Sequence, residues 1–237
     1  MRSLLLLSVA GLSLLGVNSF AADDAATLAD ALAGGKVTLD FRYRVEDVDQ
    51  AGFVDNAVAS TLRTKLKYET GAFKGLSGVI EFDNVSQLGG DGYNSTINGK
   101  TQYPVIADPE ITAVNQAYLA YTGIKDVKLM AGRTALNVNN QRFVGTVGWR
   151  QNDQTWDMAG AIAKPSKDLE LTYGYVWNVN RIFGDDHPLG DLDTNSHIIN
   201  ATYSGLDFGK LTAYGLLIDL DDMPVFGLSS QTFGVRF

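Results

Sequence analysis

The chain has 237 residues, 25 glycines, ten tyrosines, five prolines and 19% charged residues, a balance that argues for ordered structure in one large domain or two small ones. It has no cysteine and two histidines, which excludes a disulfide framework, a thiolate zinc site, a cysteine nucleophile and a histidine-rich metal centre. The formal charge of −8 argues against a nucleic-acid partner, whose footprint is a basic surface, and nothing in the composition calls for a cofactor.

Residues 1–21 have the parts of a secretory signal: the positive start Met1-Arg2, an apolar run from Leu4 to Val17, and the small residues Ser19 and Ala21 around Phe20. The run is shorter than the roughly 20 apolar residues of a spanning helix. Residues 22–35 form a lead-in, expected on the periplasmic side. After it the pattern changes. From Lys36 to Glu46, Val37, Leu39, Phe41, Tyr43 and Val45 alternate with Lys36, Thr38, Asp40, Arg42, Arg44 and Glu46. A period of two is that of a strand. The next run sets Leu62, Leu66 and Tyr68 against Arg63, Lys65, Lys67 and Glu69, and a third sets Leu169, Leu171, Tyr173, Tyr175 and Trp177 against Glu170, Thr172, Gly174, Val176 and Asn178. Weaker runs cover 76–85, 114–122, 127–134, 154–163, 196–204, 210–219 and 229–237. The sum is about ten strands, each near the 9–11 residues that cross a bilayer at a tilt.

The connections carry the topology. Thr70 to Gly75, Gly123 to Asp126, Pro165 to Lys167 and Gly205 to Gly209 are short, whereas 47–58, 86–113, 135–153, 179–195 and 220–228 are long, polar and rich in Asp, Asn and Gly. Short turns at one end and long loops at the other form the up-and-down pattern of outer-membrane barrels. The expected fold is therefore all-β, an antiparallel up-and-down transmembrane β-barrel over residues 36–237. A soluble antiparallel sheet shows the same alternation. Energetics favours the barrel with its ionic face inward. The charged face of the first two runs carries nine ionic side chains, and placing them in lipid would cost on the order of 10 kcal/mol in total. Tyr43, Tyr68, Tyr173, Tyr175, Trp177, Tyr203 and Phe208 lie on or near the outward faces, several near strand ends where interfacial girdles form. Phe233, Val235 and Phe237 alternate to a terminal aromatic, the signature that barrel assembly machinery reads.

Two stretches go beyond generic barrel patterning. One runs from Asn84 through Pro109 and includes Asn98-Gly99-Lys100-Thr101-Gln102-Tyr103-Pro104; the other is Asn140-Gln141-Arg142-Phe143-Val144-Gly145, followed by Trp149-Arg150-Gln151 and Gln154-Thr155-Trp156-Asp157. With Gly132-Arg133 ahead and Asn178 to Gly184 behind, the chain resembles the alginate-export type of outer-membrane porin-like proteins of Gram-negative bacteria. The resemblance implies a cell outer-membrane location, lipid as the surrounding partner and passive movement of a solute. Members of that family are usually longer, with more strands. Ten strands lined by basic side chains would be almost filled, and an open sheet edge cannot lie in hydrocarbon. The chain thus reads either as a narrow barrel or as the N-terminal part of a larger one.

The functional expectation is a porin for small or anionic solutes, with uronate polysaccharide as the family's case. Arg42, Arg44, Arg63, Lys65 and Lys67 line the inward face of the first two strands, and Arg133, Arg142, Arg150 and Arg181 lie near the loop-side mouth. Basic rings favour anions, and a guanidinium pairs a carboxylate through two parallel bonds. The competing reading of each position is an ion pair that stiffens the wall. The alternative is a non-transporting anchor or adhesin, which fits a filled ten-stranded barrel. An enzyme is disfavoured, because Ser196 and His197 are adjacent on a strand and should diverge. Asp191, Asp193 and Asn195 alternate like the start of a calcium loop, but no glycine and terminal glutamate follow.

Overall fold

The computed structural model describes residues 24–220 and 229–237, and the signal reading of residues 1–21 falls outside them. A six-residue helix, α1 (Leu28–Ala33), opens the described chain. Its capping box is complete: the Thr27 hydroxyl accepts from the Asp30 amide, and the Asp30 carboxylate accepts from the Thr27 amide. The lead-in is tied to the turn between the second and third strands, where the Ala25 amide donates to the Ala72 carbonyl and the Gly71 amide to that of Ala31.

Ten strands follow: β1 (Lys36–Val48), β2 (Ala57–Glu69), β3 (Leu76–Gly92), β4 (Ile111–Ile124), β5 (Val127–Thr134), β6 (Thr155–Ser166), β7 (Leu169–Asn180), β8 (Asp191–Leu206), β9 (Gly209–Ile218) and β10 (Ser230–Arg236). They form one antiparallel sheet in sequence order, the up-and-down topology, and no pairing joins β1 to β10 among the described residues. Each strongly alternating run of the sequence is a strand. Val37 and Phe41 are 64% and 61% exposed on the convex face, with Leu39, Tyr43 and Val45 beside them, while the ionic residues between them point to the concave side and are partly covered. Tyr43, Tyr173, Trp177 and Tyr203 are exposed on the convex face as expected, and Phe208 is exposed in the turn between β8 and β9. Among the described residues no helix is long and apolar enough to cross a membrane, a statement about helices alone.

Strand lengths differ from expectation at the long-loop end. β3 runs on to Gly92, because β2 reaches back to Ala57 and offers it Val58 and Ala59 as partners beyond a bulge. β8 starts at Asp191, paired with Asn180. Asp191, Asp193 and Asn195 therefore alternate because they lie in a strand, and no group of metal-ligating side chains gathers among the described residues. Ser196 and His197 diverge as expected: Ser196 is buried, whereas His197 faces outward with Tyr175 opposite.

The core lies on the concave side rather than between two layers. Two of the long connections, 93–110 and 135–154, fold back into the hollow. Tyr93 and Ile106 pack on Ala57 and Ala59 at the top of β2, and Val144 packs on Trp156, Met158, Val176, Val179 and other residues of β6 to β9.

Candidate functional site

The candidate site is the concave face of β1 to β3 and the segment that covers it. Strand register sets the first contacts: Arg42 stands opposite Arg63, Asp40 opposite Lys65, and Lys65 in turn opposite Asp83. Two guanidinium groups directly opposite repel each other unless other partners take them up. Arg63 donates to Asp40 at 2.8 Å. Arg42 is held by neutral oxygens, with Nε on Gln151 Oε1 at 2.7 Å and its Nη atoms on the carbonyls of Gly148 and Arg150. Lys65 contacts Asp153 and stands 3.8 Å from both Glu81 and Asp83. Asn115 Nδ2 closes that group, donating to Glu81 at 2.6 Å and to Asp153 at 3.2 Å. Lys67 pairs with Glu69 at 3.0 Å.

One turn of the covering segment makes most of these contacts. Val147, a β-branched residue, adopts φ 53° there, a left-handed conformation that such side chains rarely take. The chain then presents Gly148 to Asp153 to the wall. Arg44 bonds the Trp149 carbonyl, lies 4.4 Å over the Trp149 ring and pairs with Glu46, which Arg150 also reaches at 3.0 Å. Gln151 is fully buried; its Nε2 donates to Thr61 Oγ1 at 2.8 Å and to the carbonyls of Thr61 and Arg42. Its backbone amide donates to Asp108 at 2.8 Å. Asp108 is 1% exposed and comes from the other folded-back connection, and its second oxygen lies 3.6 Å from Arg44 and 3.8 Å from Arg150. Both inward segments thus meet the same two strands through Asp108 and Gln151. Beside them, Tyr93 donates to the Asp108 carbonyl at 3.1 Å. Burial first, and the nearby Asp108, Glu110 and Asp91 charges second, push its phenol up to about 12.

The mouth residues divide. Gly132 (φ 126°) passes β4 so closely that a Cβ would sit 2.3 Å from the Ala117 carbonyl oxygen, a course open to glycine only. Arg133, which follows it, binds both oxygens of Asp157, at 2.8 and 3.1 Å, and Asn180 donates to the same carboxylate at 3.2 Å. Arg150 belongs to the inner network. Arg142 is exposed, 5.7 Å from the Phe143 ring, and makes no ion pair among the described residues. Arg181 lies 4.7 Å over the Phe183 ring and reaches the Leu189 carbonyl at 3.4 Å; burial lowers its pKa.

Arg42, Arg44, Arg63, Lys65 and Arg150 are thus brought together, Lys67 lies at the short-turn end of the same wall, and Arg133, Arg142 and Arg181 stand apart. Reading the sequence for charge missed Gln151, Asp108 and Asp153, which organise the cluster. The signal was present in the run Trp149-Arg150-Gln151, but an uncharged amide and acids placed in loops do not announce a buried role. Chemically the arrangement is a polar wall whose cations are mostly neutralised on site.

The fold has solved counterparts. Pseudomonas aeruginosa OccK1 (OpdK) matches at a TM-score of 0.51 and 15% identity over 81% of this chain and 50% of that one. The fold is that of outer-membrane β-barrel porins. Pseudomonas aeruginosa OpdL matches at a TM-score of 0.48 with 18% identity over 81% of this chain and 48% of that one, and OpdQ at 0.48 with 12% identity over 82% and 51%. The chain spans about half the length of the solved structures that it matches. No protein-family model matches the sequence, and no curated protein sequence does. The porin fold is therefore shared, and the alginate-export assignment gains nothing from these comparisons.

Proposed function

We propose that the chain lies in the cell outer membrane, surrounded by lipid, and forms wall and constriction of a porin for passive diffusion of small solutes. The observation that carries this reading is the division of one sheet into an apolar convex face and an ionic concave face, with residues 148–153 standing in the hollow. Water and solute use the side where the charges are, since lipid cannot. The resemblance to solved porins at low identity supports the fold on which this reading rests.

The finer proposal is a preference for anions. Arg42, Arg142 and Arg181 have no carboxylate partner among the described residues, so they keep positive charge for a passing solute. Arg44, Arg63, Lys65, Lys67, Arg133 and Arg150 are pore-lining in this proposal but act with their acids, as a track of alternating sign. A uronate is the anion such arginines hold best, through two parallel bonds to one carboxylate. Planar-bilayer recordings on the full chain folded in lipid test both levels. We expect stepwise currents and anion selectivity, with the reversal potential moving toward cations in Arg42→Glu. Folded protein that carries no current would leave a structural anchor instead, and an unmoved reversal potential would remove the anion preference.

A further inference from the structure

At the long-loop end of β8 to β10 a groove of about 510 Å³ opens beside His197, lined by Asn195, Leu217, Asp219 and Gln231 of the convex face together with Ile218 and Ser230 of the other alternation. Strand register fixes the face. Tyr175, His197, Leu217 and Gln231 stand opposite one another across four strands, and Tyr173 and Trp177, on either side of Tyr175, are exposed. This is the face assigned to lipid, and on the porin reading a cluster of polar groups there needs a reason.

Height supplies one. His197 lies nine residues above Leu206, the short-turn end of β8, roughly 30 Å along the strand and about 23 Å along the membrane normal at a 40° tilt. That is close to the roughly 25 Å of the apolar band of such barrels, so the groove sits where hydrocarbon gives way to headgroups. The side chains have capacity to spare. His197 Nδ1 shares a hydrogen bond of 2.9 Å with the Tyr173 phenol, leaving Nε2 for a ligand. Among the described residues, no partner holds the side chains of Asn195, Asp219 and Gln231. Aromatic rings stand alongside, Tyr175 at 5.3 Å from the His197 ring and Trp177 at 6.3 Å from that of Tyr175.

Charge selects the ligand. Among the described residues the lining holds the Asp219 carboxylate and neither Lys nor Arg, so a phosphate would meet a like charge and no cation there. A hydroxyl-rich ring finds acceptors in Asp219, Asn195 and Gln231, donors in the amides, and apolar ring faces for its C–H surface. We propose that this groove binds the saccharide headgroup of a membrane glycolipid, an inference that rests on the outer-membrane placement.

The test uses the full chain in nanodiscs containing digalactosyl diacylglycerol or phosphatidylglycerol with matched acyl chains, and counts lipid retained per protein by mass spectrometry after detergent extraction. We expect the galactolipid to be kept at least fivefold over phosphatidylglycerol, and that excess to fall at least fivefold in Asn195→Leu/Gln231→Leu. The single variant His197→Phe, which keeps a ring in the stack, serves if the double one does not fold. Equal retention of the two lipids, a preference for phosphatidylglycerol, or an undiminished variant overturns the site. Insertion is scored separately by the heat-dependent shift of folded barrels on gels: wild type that does not insert defeats the membrane placement itself, whereas inserted protein without galactolipid preference defeats the groove alone.

Discussion

The segment between β5 and β6 touches two walls by opposite means. Residues 148–153 bind β1 to β3 through ions and amides, Gln151 on Thr61 and Asp153 on Lys65 among them. Val144, a few residues earlier, is fully buried in an apolar cluster with Met158, Val176, Ile198 and Leu216 on β6 to β9. The polar wall demands that every charge find a specific partner, because each was taken out of water. The apolar wall asks only for volume and is forgiving of detail. One stretch of chain thus has a directional grip at one end and a non-directional one at the other.

The largest way to break that difference is Asp108→Ala. It leaves the Gln151 amide without its acceptor and takes the buried carboxylate from beside Arg44 and Arg150, which keep Glu46, and we expect a loss of about 3–5 kcal/mol, read as urea unfolding in micelles by tryptophan fluorescence. A loss under about 1 kcal/mol would mean that water replaces the carboxylate and the grip is not directional. Val144→Ala should cost less, about 2 kcal/mol from two lost methyl groups and the cavity left behind. Raising salt should leave both effects nearly unchanged, because Asp108 and Val144 are buried away from screening ions.

The smallest effect is confined to alkaline buffer. The Tyr93 phenol has a folded pKa of about 12, above its ordinary value of about 10. The unfolded chain then loses its proton first, so this contribution to stability is whole below pH 10 and declines as the pH rises toward 12. Unfolding midpoints measured from pH 9 to 12 should fall more steeply in the wild type than in Tyr93→Phe, and parallel curves would show that the phenol is not buried in solution.

Much of the wall was legible in the residues themselves. Alternation over Lys36 to Glu46 predicted both the strand and the face that each side chain takes, because a pleated backbone has no other option. Turn lengths predicted the order of the strands. What could not be read was where the long connections go. Gly92 and Asp191 look like loop residues until a neighbouring strand long enough to pair with them is known. Gln151 contacts Arg42 across more than 100 positions, and no local pattern encodes a contact of that span. Ion pairing with nearby acids was legible as one of two readings, and Asp40, Glu46 and Glu69 supply it, whereas Asp108 and Asp153 arrive from far along the chain.

The covering segment also has a mechanical meaning. It hangs from β5 and β6 and is fastened to β1 and β2, so it crosses the concave side like a chord drawn across an arc, and a chord of fixed length sets the radius. Lengthening or loosening it would let the sheet flatten, even with every strand pairing kept.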